Sequence, residues 1–491
     1  MVIKKKRFWL TLLAAGLTFF FSSGFLDSQQ RFRRTPPYPD PLPPINLPKV
    51  ESAVLPTGLK IITINGLNNP VYNLQILIQA GESDSPPGLS GLATIAAQML
   101  FRGTITLNRA EIEEKIEYLG INYSVEVRPD YTIFSFVFLE EFLDQVLELI
   151  NLFFVEPTFP AMELASAKRE FYYRLLDKNR DSEKTGYEFF LKQMFVHSGY
   201  NPGVVDEELI KNITTKDVAA FHQRLFRPNN STIIITGNLD MVTAEKKIRN
   251  SFSRWVPKPV EKPSRPKLLN KNFEKICLLD LPVQEVSVIA GNVIAPLTDE
   301  DYFGLLVLNQ IMGGATTSRL FLNLRESKSL AFYAFSELSF LGGNGLFWIR
   351  IKTAPESIVQ IIRELHSQFR SLTETRIDPA EVERAKAYLI GNLPLQFQTP
   401  EALSRRIGLL SLFQLPEDFW NKYYQNIMVV SPERVQEVAK KYLTNNPLII
   451  IVADLKTVLD YLREFDKIEI YNRKGQIKAI SEKGVLKYEA R

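Results

Sequence analysis

"TTKDVAAFHQRLFRPNNSTIIITGNLD", Thr214 to Asp240, and "VSPERVQEVAKKYLTNNPLIIIVAD", Val430 to Asp454, carry one pattern twice. Each runs a helix into an Asn-rich turn and then into a β-branched strand. Two further pairs flank them. "PAMELASAK", Pro160 to Lys168, returns as "PAEVERAK", Pro379 to Lys386, and the stretch Gly91 to Phe101 corresponds by position to "FGLLVLNQIMGG", Phe303 to Gly314. Echoes in one order and at similar spacing identify an internal duplication. Within the first half, "YNLQILIQAG" reads as a strand, "RAEIEEKIEYLG" as a helix closed by Gly120, and "INYSVEVRPDYTIFSFVF" as two alternating strands about a tight turn. Helical stretches follow at Glu140 to Phe154, Ala161 to Lys178 and Lys216 to Phe226. Hairpins with helices segregated to one face predict an α+β sandwich.

The chain of 491 residues has room for two domains. Its hydrophobic fraction of 45% and charged fraction of 23% are those of an ordinary globular protein. A net charge of +4 spread over this length, with no Lys/Arg stripe beyond the N-terminus, implies no nucleic-acid partner. At the N-terminus, Lys4, Lys5, Lys6 and Arg7 precede the apolar run "FWLTLLAAGLTFFF", Phe8 to Phe21, and then Ser22, Ser23 and Gly24. This is the layout of a secretory signal, cleaved after Gly24. The run of 14 residues is shorter than the ~20 that span a bilayer. Export to the periplasm or the medium is therefore expected, with membrane anchoring as the alternative if the signal stays on. Cys277 is the only cysteine, so no internal disulfide forms and no lipid is attached near the signal.

These features divide the chain into a signal peptide (1–24), a Pro-rich tether (25–49), an N-terminal domain (50–252), a second Pro-rich linker (253–271), a C-terminal domain (272–475) and a tail (476–491).

The stretch "GLATIAAQMLFRGT", Gly91 to Thr104, resembles the signature of the insulinase/pitrilysin (inverzincin) metallopeptidases, G-x-A-H-x-x-E-H-M-x-F-x-G-T. Gly91, Ala93, Met99, Phe101, Gly103 and Thr104 match it. The resemblance implies two family-type domains, each an antiparallel sheet backed by helices, facing across a cleft. It also implies a zinc site, in which two histidines four apart share one helix face and the glutamate between them acts as general base. Here the first histidine falls on Thr94, the base on Ala97 and the second histidine on Gln98. The family's third ligand, a glutamate from a neighbouring helix, falls on Arg174, or on Leu175 if the register slips by one. None of these replaces a zinc ligand set, and a cation at Arg174 would repel the ion. No metal cofactor is expected, although zinc is expected in relatives. The three histidines, His197, His222 and His366, lack a ligand partner at i+4 and read as structural or surface residues.

In the second half, "LNQIMGGATTSRLFLNLRESKSLAFYAFS", Leu308 to Ser336, resembles the segment from which a family arginine and tyrosine reach the substrate. The arginine is Arg325, for which an intradomain ion pair is the alternative role. The tyrosine position falls on Phe332, with Tyr333 beside it on the opposite strand face. "GINYSVEV", Gly120 to Val127, matches the family strand that holds an extended peptide through its backbone, and Asn122 matches the family asparagine. An ordinary sheet edge is the competing reading. "FLGGNGLF", Phe340 to Phe347, reads as a hairpin turn.

The resemblance thus points to an exported, catalytically inactive subunit that binds or encloses peptides together with an active zinc-bearing relative. A residual endopeptidase and a structural subunit of a membrane-associated complex are the alternatives.

Overall fold

Short runs of isoleucine and valine, buried on both sides, form central strands of the two sheets of the protein. A computed structural model describes residues 47–488 apart from 67–69, 179–180, 262–264, 266, 269–272, 274 and 445. The signal, nearly all of the tether and part of the linker lie outside the described residues. Among the described residues, no helix is long and apolar enough to cross a membrane.

The first sheet contains β1 (Lys49–Val54), β2 (Lys60–Asn65), β3 (Val71–Ile78), β4 (Asn122–Val127), β5 (Thr132–Leu139) and β6 (Ser231–Thr236), in the order β1-β2-β6-β3-β5-β4. The second contains β7 (Ile276–Asp280), β8 (Val286–Ile294), β9 (Ala331–Leu341), β10 (Asn344–Thr353), β11 (Leu448–Ala453), β12 (Lys467–Tyr471), β13 (Ile477–Glu482) and β14 (Val485–Tyr488). Its order is β14-β13-β12-β7-β11-β8-β10-β9. The run β2-β6-β3-β5-β4 is repeated strand for strand by β7-β11-β8-β10-β9, so the duplication extends to strand order. Both sheets are antiparallel except where β2 meets β6, and where β7 meets β11 and β12. Parallel neighbours need long crossovers, and each half inserts most of its helices between them.

The tail at 476–491 requires correction, since most of it is sheet. β13 pairs with β12, and β14 pairs with β13 across a turn in which Lys483 and Gly484 have φ 49° and 81°. Alternating apolar residues around a two-residue Lys-Gly turn are a hairpin signal.

One face of the first sheet carries Leu74, Ile76, Phe134, Phe136, Ile233 and Ile235 into a core with the helices of its own half. The other face, with Ile62, Leu77 and Ile234, belongs to the core of the second half. This second face is covered by the helix Pro400–Leu412, which packs on β3 and β6. In return, the helix Ser182–Phe195 crosses to the second sheet and packs on β8 and β11, where Phe189, Phe190 and Met194 bury Cys277, Ile289 and Ile450. The halves therefore exchange helices. Burial on both faces is why "STIIIT" and "LIIIVA" each hold three consecutive isoleucines rather than alternating apolar and polar residues.

Both exchanged helices carry Ser-x-x-x-Gly. Ser182 Oγ lies 2.8 Å from Ser287 Oγ of β8, and Ser404 Oγ lies 2.6 Å from Thr236 Oγ1 of β6. Gly186 and Gly408, one turn further on, lie directly against the sheets.

The glycine-rich stretch of the second half is the β9–β10 turn, in which Gly342 and Gly343 adopt φ 59° and 74°. Asp130, in the β4–β5 turn of the first half, accepts the Gly342 N–H at 2.7 Å and the Tyr200 hydroxyl at 3.0 Å. This latch ties a hairpin of one half to the other.

Candidate functional site

The helix Leu92–Met99, here called the motif helix, starts at Gly91, whose φ of 88° is left-handed. A Cβ at Gly91 would lie 2.7 Å from the Phe171 ring, so both conformation and space call for glycine. The motif helix packs on the helix Ala161–Lys178, on the helix Thr215–Leu225 and on β4. Leu92, Ile95, Ala96 and Met99 turn into the core.

Thr94 and Gln98, one turn apart, share the half-buried flank, and Ala97 is fully buried beside them. Thr94 donates its hydroxyl to Glu82 and its N–H to the same carboxylate oxygen at 2.9 Å. Ser85 donates to the other oxygen at 3.1 Å and accepts the Ala93 N–H at 3.2 Å. Glu82 is thus the acceptor that satisfies the start of the motif helix. Burial pushes its carboxyl above the ordinary range, against the pull of these hydrogen bonds. Sequence reading missed Glu82, because its partners lie on a later element and no local spacing marks it. Gln98 Oε1 is buried without a protein partner.

On the neighbouring helix, Leu164, Ala167, Phe171 and Leu175 form the buried stripe. Arg174 is exposed, with its guanidinium over the Phe171 ring at 5.6 Å from the centroid. Glu163 and Glu170 of this helix both bond Arg102, just beyond the motif helix. Arg174 follows Glu170 by four residues and so continues that flank, whereas Leu175 turns with Phe171 into the core.

These residues do not fit zinc. One hydroxyl already committed to Glu82, one amide oxygen and a cation make no divalent-metal set. Among the described residues, no group of three or more His, Cys, Asp or Glu side chains could hold a metal ion.

His222 is buried, with Nε2 at 3.1 Å from the Phe154 carbonyl. Burial pulls its pKa from 6.5 to about 4, so the ring is neutral and donates Nε2–H. On unfolding the ring regains an ordinary pKa and takes up a proton first. Stability from this residue is therefore complete above pH 6.5 and is lost as pH falls toward 4, by roughly 3 kcal/mol in all. A His222→Gln variant should lose correspondingly less stability between pH 7 and pH 4 in urea titrations. Parallel pH curves for the two proteins would refute this assignment.

β4 is the outer strand of the first sheet and pairs only with β5. Asn122, Tyr123 and Ser124 are exposed, and the Tyr123 ring stacks on Phe101 at 4.6 Å. An open strand edge therefore runs past the motif helix. Arg325 and Phe332 belong to the other half, Phe332 on its sheet and Arg325 in a turn beside it. Arg325 sits in a π-helical turn, Phe321–Ser327, exposed, with its guanidinium 4.9 Å from the Phe321 ring centroid and Nε 3.6 Å from Glu326. Phe332 begins β9, the outer strand there, and is 53% exposed. Tyr333 points the other way and gives its hydroxyl to Glu183, whose carboxylate also pairs with Arg350 at 3.0 Å. Tyr333 thus holds an exchanged helix in place. The structure brings Thr94, Ala97, Gln98, Arg174 and the start of β4 into one neighbourhood, and puts Arg325 and Phe332 at the edge of the second sheet.

A model of the insulinase family, peptidase family M16, matches residues 60–201, and one for the peptidase M16 inactive domain matches residues 212–389. An uncharacterised zinc protease of Streptomyces coelicolor is 22% identical over 413 residues, covering 83% of this chain and 90% of that protein. The non-peptidase homologue YmxG of Helicobacter pylori is 22% identical over 398 residues, covering 79% and 90%. Among solved structures, a peptidase M16 inactive domain from Pseudomonas fluorescens superposes with a TM-score of 0.76 at 20% identity, covering 82% of this chain and 97% of that one. A protease from Helicobacter pylori gives 0.75 at 19%, covering 83% and 100%. With the duplicated sheets and the motif helix in place, the chain belongs to the insulinase (M16) peptidase family.

Proposed function

We propose that this protein is an exported subunit without catalysis of its own, which holds extended peptides along β4 and works beside an active, zinc-bearing M16 relative. The observation that carries the reading is an open β4 edge beside a motif helix whose metal positions are Thr94, Gln98 and Arg174. Strand addition uses backbone N–H and C=O groups and needs no metal, so binding outlives the loss of the zinc set. The placement of Arg325 and Phe332 supports the partner. They stand exposed at the edge of the other sheet, where they are available to a second chain, and Arg325 meets Phe321 and Glu326 of its own half. The N-terminal signal supports export, or attachment to a membrane if it is retained.

The purified mature protein is expected to contain no stoichiometric zinc, to cleave no unstructured peptide, and to co-purify with a chain bearing an intact H-x-x-E-H. Metal analysis and a peptide digest decide the first two points. Tightly held zinc whose removal by chelator abolishes cleavage would overturn the inactive reading. Recovery without any such partner would overturn the paired one.

A further inference from the structure

A cavity of about 440 Å³ opens where the C-terminal ends of β4 and β9 approach each other, lined by both halves of the chain. Its lining includes Tyr131, Tyr187 and Phe340, and four solvent-facing cations at its rim, Arg128, Lys178, Lys184 and Arg405, together with the carboxylates of Asp130 and Glu188. Glu188 is paired with Lys178, and Asp130 is taken up by Tyr200, the Gly342 N–H and Arg265. Lys184 pairs with Asp181 at 3.3 Å. The two guanidiniums share a single carboxylate, because Glu126 on β4 bonds both Arg128 and Arg405. Burial alone would raise the Glu126 carboxyl, yet the two arginines hold it below its ordinary value, so it stays ionised. One carboxylate between two guanidiniums leaves Arg128 and Arg405 one positive charge to spare, beside the aromatic side chains of the lining.

The position of this cluster on the strand suggests its ligand. Tyr123 lies against the motif helix, and Val127, four residues later, lines the cavity. At ~3.3 Å per residue the cavity is about 13 Å further along the same open edge. A peptide paired with β4 would therefore carry its residues directly to the basic rim.

We propose that this cavity is a carboxylate-accepting subsite, which makes the protein selective for peptides bearing an acidic side chain or a free C-terminus four to six residues from the segment beside Tyr123. The proposal rests on β4 as the peptide-holding strand. An acid entering the rim gains charge-assisted hydrogen bonds from cations that are already in place, and the gain weakens with salt.

The test uses the mature full-length protein and fluorescence anisotropy with labelled eight-residue peptides of three kinds: acidic with an amidated end, neutral with a free C-terminus, and neutral with an amidated end. At low salt the acidic peptide, the free C-terminus or both should bind roughly tenfold more tightly than the neutral amide, with the difference shrinking at high salt. The first two peptides separate a side-chain carboxylate from a terminal one. An Arg128→Ala variant, which leaves Glu126 paired one to one with Arg405, should lose this preference while keeping the weaker affinity for the neutral amide. The Arg128 side chain is exposed and its ion pair is of the surface kind, so the variant should fold. Equal binding of all three peptides by the wild type would sink the subsite and leave the peptide-holding reading standing. If no peptide binds, acetyl-glutamate amide, which is too short to pair with a strand, decides between them. Its binding, lost in the Arg128→Ala variant, keeps the subsite and removes β4 as the holding strand, and its failure to bind removes both.

Discussion

Replacing Thr94 and Gln98 by His, Ala97 by Glu and Arg174 by Glu is expected to give a protein that takes up stoichiometric zinc where the wild type takes none. Both histidines would stand on the half-buried flank of the motif helix, one turn apart, as two imidazole ligands of one ion require. The fourth change places a carboxylate on the flank that continues from Glu163 and Glu170 toward the motif helix, and removes the cation that now stands there. A companion variant with Leu175→Glu in place of Arg174→Glu should bind far more weakly and fold less well, because Leu175 is 8% exposed in the first core. Burying an unpaired carboxylate there costs several kcal/mol, on the order of 3 to 5. Ala97→Glu carries its own risk, since Ala97 is fully buried, so the three ligand changes without it provide the cleaner binding assay. Cleavage should remain low even when zinc is bound. Phe332 has no hydroxyl, Tyr333 has committed its own to Glu183, and losing one donor at such a site typically costs ~10²- to 10³-fold in rate. Phe332→Tyr should raise cleavage only if the edge of the second sheet reaches a zinc site, in this chain or in a partner. Zinc uptake by the Leu175 variant but not by the Arg174 variant would show the register to be displaced by one residue.

The repeat was legible because it is written in local signals. A helix, an Asn-rich turn and a β-branched strand recur at Thr214 and Val430, and β6 and β11 do occupy equivalent places in the two sheets. The motif helix was legible for the same reason, through Gly91, Met99, Phe101 and Gly103. The exchange of helices was not. "SEKTGYEFFLKQMF" has apolar residues enough for a helix, but nothing in its spacing says that Phe190 is buried on a strand nearly a hundred residues later rather than on its own sheet. Tyr333 was hidden in the same way. Strand alternation gives its face, while its partner Glu183 depends on where the exchanged helix lands. Glu82, the acceptor for Thr94, also emerges only once two separate elements are brought together. The β13–β14 hairpin differs from these. Its Lys-Gly turn and alternating residues are local and could have been read, and its position at the chain end made it look like a tail.

Gly186→Leu is expected to be the most damaging single change in the fold, and Gly408→Ala close to harmless. The two glycines occupy equivalent places, each four residues after the serine that anchors its exchanged helix. A Cβ on Gly186 would lie 2.5 Å from Ile289 Cδ1 and 2.8 Å from Val452 Cγ2, inside contact distance on two different strands. The isoleucine end can turn aside, but the branched valine on β11 cannot. Even alanine should therefore destabilise at this position, by roughly 1 to 2 kcal/mol after its helix preference of about 1 kcal/mol is credited. Leucine would lift the helix from the sheet and open the core around Phe189 and Phe190, for about 3 kcal/mol or more. At Gly408 the nearest atom to a new Cβ is Ile234 Cδ1 at 3.1 Å, with the next at 3.6 Å. A shift of a few tenths of an ångström relieves that contact, and the gain in helix preference offsets it. Urea unfolding followed by tryptophan fluorescence would resolve the difference, because the Trp348 ring lies 4.1 Å from that of Tyr187, next to Gly186 on the exchanged helix. With leucine at 186 the Trp348 signal should change at lower urea than the far-UV helix signal, as the second sheet loses its cover before the helices of the first half melt. If both positions tolerate alanine equally and the leucine variant unfolds in one coincident transition near the wild-type midpoint, the close approach at Gly186 is not what couples the halves, and the Asp130 latch with the Glu183 cluster must do so instead.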